Sequence, residues 1–115
     1  MARTEDLTIV EGADATIKVF IVDTNGAAKD INNKLFSGGM KKTYSDPTTI
    51  SFSTAVVDAN GGVIQLSLNS TQTSTLDTSV RYVYDVVMYE SGNTNIERIM
   101  DGKVFIKPSV TILGS

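Results

Sequence analysis

The chain has no cysteine, no histidine and no tryptophan among its 115 residues, and only two prolines. Without cysteine there is no disulfide, no thiolate metal site and no cysteine nucleophile. Without histidine the commonest general base and metal ligand is missing. A zinc site would have to rest on carboxylates alone. Long hydrophobic runs are absent too: no stretch approaches the ~18 apolar residues of a membrane-spanning helix. The start, Met1-Ala2-Arg3-Thr4-Glu5-Asp6, is polar, and no apolar run resembling a signal peptide follows it. Positive charge is scarce. The formal net charge is −3 and the sequence pI about 4.7, so the basic footprint that a nucleic-acid backbone demands is lacking. Lys41-Lys42, with Lys34 upstream, is too small a cluster to track phosphates.

What is present suits one folded domain over residues 1–115. The hydrophobic fraction is 41% and the charged fraction 20%, which argues against disorder. A chain of this length buries roughly two-thirds of its unfolded surface, enough for one core.

The apolar periodicity is two. Ala15, Ile17, Val19 and Ile21 alternate with Thr16, Lys18, Phe20 and Val22, and Asp23-Thr24-Asn25-Gly26 reads as a turn. Ile50, Phe52, Thr54 and Val56 alternate in the same way. Asp58-Ala59-Asn60-Gly61-Gly62 then turns the chain into Val63–Leu68, so residues 50–68 read as a hairpin. Arg81 to Glu90 is rich in tyrosine and valine, Ser91-Gly92-Asn93 breaks it, and Ile96 to Lys107 runs back. Gly102 is expected to relieve a bulge or to admit another backbone. Pro108 ends that strand. Asn69 or Ser70 caps a short helical turn near 70–77, and Ser37-Gly38-Gly39 is expected to bulge or kink the strand around it. The fold class that follows is all-β: an immunoglobulin-like antiparallel β-sandwich of about seven or eight strands.

Phe20 and Val22 oppose the apolar Ala15–Ile21 set, so this strand is apolar on both faces. Two explanations stand: an inner strand flanked by loops, or an outer face covered by a partner.

No pattern of residues assembles a catalytic site, and the chain reads as non-enzymatic, with no cofactor and no metal. Asp58-Ala59-Asn60-Gly61 resembles the start of a calcium loop, but Asn69 stands where the bidentate glutamate belongs. Gly38-Gly39 lacks the spacing of a phosphate-binding loop. Asp85 is the one charge inside Tyr82–Tyr89 and is expected either to face solvent beside Val87 and Tyr89 or to pair with Arg98 or Lys103 on the returning strand. Asp85 with Arg98 is the candidate structural pair. A three-residue loop would set Met88 against Ile96 and Val86 against Arg98, while a two-residue loop exchanges the faces.

In order along the chain come Asp23-Thr24-Asn25-Gly26 with Asp30-Ile31, then Gly62-Val63-Ile64-Gln65-Leu66-Ser67-Leu68, then Thr71-Gln72-Thr73 with Leu76. Tyr82-Val83-Tyr84-Asp85-Val86, Asp101-Gly102-Lys103-Val104-Phe105-Ile106 and Pro108-Ser109-Val110-Thr111 follow. This order resembles small β-sandwich domains of tailed-bacteriophage virion proteins, like the N-terminal domain of the baseplate upper protein family. Val80 departs from the glycine expected before the Arg-Tyr step, and Gly38-Gly39 interrupts an expected regular strand.

The resemblance implies a structural role in the virion, assembled in the host cytoplasm. The chain would be an adaptor or anchoring subunit of the tail, baseplate, neck or fibre attachment, or a capsid decoration protein. The implied partners are other virion proteins in a symmetric, multi-copy assembly, with no nucleic acid and no membrane. In larger relatives such a domain is fused to a further region; here the start and the Leu113-Gly114-Ser115 end suit a stand-alone subunit. Residues 1–6 and 108–115 are expected as partner-binding arms, with Leu7, Ile9, Phe105, Val110, Ile112 and Leu113 as contact residues. A receptor- or carbohydrate-binding module is the alternative of a different class. It needs exposed aromatics, and Tyr44, Tyr82, Tyr84 and Tyr89 mostly sit inside strand patterns.

Overall fold

The computed structural model describes residues 3–23 and 25–108. The strands of the described residues are β1 Arg3–Thr4, β2 Leu7–Val10, β3 Ala15–Phe20, β4 Leu35–Lys41, β5 Ile50–Ser51, β6 Ser53–Asp58, β7 Val63–Leu68, β8 Arg81–Glu90 and β9 Thr94–Lys107. One helical turn, α1 Ser70–Thr73, lies within the expected segment. Asn69 caps it: its side chain accepts from the Gln72 amide at 2.8 Å, and the Gln72 side chain accepts from the Asn69 amide at 2.9 Å.

Two sheets form the all-β sandwich. The larger has the order β1-β9-β8-β4-β5, with β2 also pairing β9, and the smaller has the order β3-β7-β6. The sandwich is not wholly antiparallel, because β1 and β2 both run parallel to β9. The inner faces supply the core. Tyr82, Tyr84, Val86 and Met88 of β8 alternate inward, as do Met100, Val104 and Ile106 of β9, and Ile64, Leu66 and Leu68 of β7 meet them. Each such side chain contributes about 1.5–3 kcal/mol by leaving water. Phe52 meets Tyr84 edge-on, with ring centroids 6.4 Å apart.

Three expectations change. Residues 50–57 do not form one strand: the chain switches sheets at buried Phe52, whose amide donates to the Gly38 carbonyl at 2.9 Å. The Gly38-Gly39 step is not a bulge, since β4 keeps an unbroken register from Leu35↔Tyr89 to Lys41↔Val83. Instead the glycines allow close approach. A Cβ on Gly38 would lie 3.3 Å from both Phe52 and Val86, and one on Gly39 would lie 2.7 Å from the Thr49 methyl.

The third change concerns the 81–107 hairpin. Its loop has three residues, with Glu90↔Thr94, yet irregularities in pairing then set Met88 against Glu97 and Val86 against Met100. Asn93 and Asn95, at φ of 57° and 51°, take the left-handed backbone at this end of the hairpin.

Candidate interaction surface

The expected N-terminal arm is not free. Residues 3–10 belong to the chain's own larger sheet, and Leu7 and Ile9 are buried in its core because β2 lies in register on β9, Leu7↔Val104 and Ile9↔Ile106. Phe105 is half-buried on the outer face, where the Arg81 guanidinium lies 5.0 Å from its ring centroid. Val110, Ile112 and Leu113, and the arm from 109 onward, lie outside the described residues.

The structure exposes three other surfaces. The first is β6, the edge of the smaller sheet, whose six residues are all exposed. Val56 stands opposite Ile64 and therefore shares its inward face, yet remains 47% exposed. The larger sheet reaches this side only through the two-residue β5 and the β4 edge, where the Thr54 hydroxyl donates to the Phe36 carbonyl at 3.2 Å. The register shifts between Val56 and Asp58, and Val57 at that shift is 51% exposed.

The second surface is one end of the outer face of the smaller sheet. Phe20, 58% exposed, lies opposite Val63, and Val22 beyond it is 52% exposed. β3 is thus an edge strand with an apolar outer end, not an inner strand flanked by loops.

The third is a groove of about 210 Å³ on the outer face of the larger sheet. Its floor is low because Gly39, opposite Asp85, has no side chain. Val83, Val87, Thr49 and Lys41 line it, and Tyr44, 78% exposed, stands at its rim. Tyr44 departs from the expectation that the tyrosines pack inside strands. Lys42-Thr43 before it and Ser45-Asp46-Pro47 after it are turn residues, and that context marks its exposure. Tyr82 and Tyr84 are core residues, as expected.

Asp85 faces outward and pairs with Arg98 as expected, Nε to Oδ2 at 3.5 Å. Asp101 lies directly opposite Asp85, and the same guanidinium reaches it at 3.8 Å. One cation therefore bridges two carboxylates placed face to face across β8 and β9.

Three other carboxylates are held below their ordinary range. The Ser79 hydroxyl and amide do this to Asp77, the Asn32 amide and side chain to Asp30, and the Lys34 ammonium and the Asn95 side chain to Glu90. None of the three lines the groove. Among the described residues, no group of three or more carboxylates is placed to hold a metal ion. No protein-family model matches the chain, and no curated protein sequence matches it.

Proposed function

We propose that the chain is a non-enzymatic structural subunit of a tailed-phage particle. It would act as an adaptor or anchoring component in the tail, baseplate, neck or fibre-attachment region, holding its neighbours through sheet edges and outer faces. One observation carries the docking part: β6 is a six-residue edge, exposed throughout, with valines available on it. Such an edge presents unpaired main-chain donors and acceptors to any strand that can reach it. The exposed end around Phe20 and Val22 adds apolar area beside it. The virion assignment is supported by the ordered run of motifs from Asp23 to Thr111. The test is reconstitution with particles assembled without the subunit. Purified protein should co-sediment with them in a fixed ratio, and electron microscopy should place it at one symmetric location. Density on the head would select capsid decoration, and failure to bind any assembly intermediate would overturn the reading.

A second reading, sugar binding in the groove, is favoured by Tyr44. An exposed ring beside Asp85, Lys41 and Thr49 offers a stacking face with polar groups next to it. A glycan array would test it, with no hit on any saccharide counting against it.

A further inference from the structure

Two asparagines stand directly before glycine, Asn25 and Asn60, and each follows an aspartate by two residues. That order has a chemistry of its own. The main-chain nitrogen after an asparagine can attack the side-chain carbonyl carbon, and glycine, with no side chain and wide backbone freedom, hinders the attack least. Both asparagines are exposed and both lie in turns. Nothing in the sequence ranks one above the other, but their surroundings do. Asn60 is clasped from outside its turn. Its side-chain oxygen accepts from the Asn32 side chain at 2.8 Å. The Gly61 nitrogen, the nucleophile there, donates to the Asp58 carboxylate at 3.0 Å, and a Cβ at position 61 would lie 2.5 Å from that carboxylate. On either side, the Ile31 amide donates to the Ala59 carbonyl at 2.8 Å and the Ile21 amide to the Gly62 carbonyl at 2.7 Å. Among the described residues, the hydrogen bonds that hold Asn25 run only within 23–27. The Asp23 carboxylate accepts from the Asn25 and Ala27 amides at 2.8 and 3.1 Å, and the Asp23 carbonyl accepts from the Gly26 amide at 3.0 Å. A Cβ at position 26 would meet nothing within 4 Å. This turn can open without moving a strand, whereas the turn at Asn60 cannot open without releasing other segments.

We propose that Asn25 is a site of spontaneous deamidation and that the fold protects Asn60 from the same reaction. The Gly26 nitrogen gives its proton to solvent and bonds to the Asn25 Cγ. The bond from Cγ to the side-chain nitrogen breaks, and that nitrogen leaves as ammonia with a proton from water. Water then adds to one of the two carbonyls of the five-membered ring and breaks its bond to the Gly26 nitrogen. Opening at Cγ restores the ordinary backbone and leaves aspartate. Opening at the main-chain carbonyl leaves isoaspartate, whose backbone runs through the side-chain carbons and is one atom longer. One water is consumed and one ammonia released, with no oxidant, cofactor or enzyme. Either product sets a carboxylate beside that of Asp23 and makes the chain one unit more negative than its native −3. Isoaspartate also lengthens the turn between Val22 and Ala28, which pair through an isolated bridge. The change therefore reaches the exposed apolar end at Phe20 and Val22. The inference does not rest on the virion reading, since the chemistry belongs to the free chain.

Peptide mapping by mass spectrometry, on the whole protein incubated at mildly alkaline pH, tests this. The segment that holds Asn25 should gain the mass difference between a hydroxyl and an amino group, as a mixture of aspartate and isoaspartate. Isoelectric focusing should show a new, more acidic band. Asn60 should react more slowly by about tenfold or more, because the bonds that clasp it must open first. In guanidinium chloride, where neither turn persists, the two rates should converge. This comparison needs no variant. Asp58→Ala frees the Gly61 amide and should speed reaction at Asn60 while leaving Asn25 as it was. Asn25→Gln, whose longer side chain closes its ring far less readily, should remove the early acidic band. An Asn25 that stays intact in the folded protein, or an Asn60 that reacts as fast or faster there, overturns the proposal. A difference between the two that persists in the denatured chain overturns it as well, because the fold would then not be its cause.

Discussion

The Tyr84 hydroxyl donates to the main-chain carbonyl of Glu5, 79 residues away in sequence. The bond closes over Gly102, which faces Tyr84 across β8 and β9. The Glu5 oxygen would lie 2.2 Å from a Cβ at position 102, and Gly102 has φ of +151°, a region that side chains avoid. The N-terminal segment therefore docks only because position 102 is glycine. Tyr84→Phe should cost about 1 kcal/mol, the ordinary worth of a part-buried hydrogen bond. Gly102→Ala should cost more, about 3 kcal/mol or above, because strain and clash add. Urea unfolding measures both. Equal costs would mean that the close approach is not what Gly102 provides.

The sequence told of this site in part. An isolated glycine in a strand signals either a bulge or a close approach, and both meanings were open at Gly102. Local pattern cannot choose, because the approaching backbone comes from the other end of the chain. The same limit explains Gly38-Gly39, where the local reading was a kink and the structure has a regular strand passing close to Phe52 and Thr49. Alternation did identify the core face of β7, since a buried face demands period two, whereas the two faces of β8 stay open until the loop at 91–93 is known. It failed at Leu7 and Ile9. Their alternation is that of any half-buried strand, and nothing in it says whether the covering sheet belongs to the same chain. It failed in the opposite sense at Val56, where alternation suggests burial and the larger sheet ends too soon.

Arg98 should matter through repulsion more than attraction. Asp85 and Asp101 face each other across the ladder, and the guanidinium between them is well exposed. Exposed pairs contribute little, so Arg98→Met should cost only about 0.5–1 kcal/mol. What remains in the variant is two like charges side by side, which salt screens. Raising sodium chloride should therefore stabilise Arg98→Met more than the wild type, and Asp101→Asn in that background should restore most of the loss. Identical salt dependence in the two proteins would show that Arg98 does not bridge the carboxylates.

Apart from the core tyrosines, Thr73 is the one polar side chain buried among the described residues. Its hydroxyl donates to the Ala13 carbonyl at 2.8 Å and lies 3.2 Å from the Ser70 carbonyl, tying α1 to the turn before β3. Thr73→Val keeps the shape and removes the donor, leaving the Ala13 carbonyl without it. A loss of about 1–2 kcal/mol is expected, with faster amide exchange at 12–15 as its local signature. Thr73→Ser keeps the hydroxyl and should recover the exchange pattern even though it loses a methyl.

Tyr44 separates binding from folding. At 78% exposure it contributes little to the core, so Tyr44→Ala should change stability by no more than about 0.5 kcal/mol. If the groove takes a saccharide, the same change should abolish binding, and Gly39→Ala should weaken it by raising the floor. Retained binding in both variants would place the ligand elsewhere.

Acid should weaken the fold in part through three held carboxylates. Asp30, Asp77 and Glu90 each have a folded-state pKa below the ordinary value, 3.8 for the aspartates and 4.5 for the glutamate. A depressed folded pKa means that the unfolded chain takes up protons first. The stabilisation is complete above the ordinary value and is lost as pH falls through the lowered one. Melting temperature should thus begin to fall below about pH 5 and drop steadily towards pH 2, with no histidine to add a step near neutrality. Lys34→Gln removes the ammonium that holds Glu90, so its melting curve should be flatter than the wild type's between the two Glu90 pKa values. Asp77→Asn should flatten it at lower pH, because the Ser79 hydroxyl and amide lose the carboxylate they hold. A wild-type acid profile unchanged by both substitutions would assign the acid sensitivity to other groups.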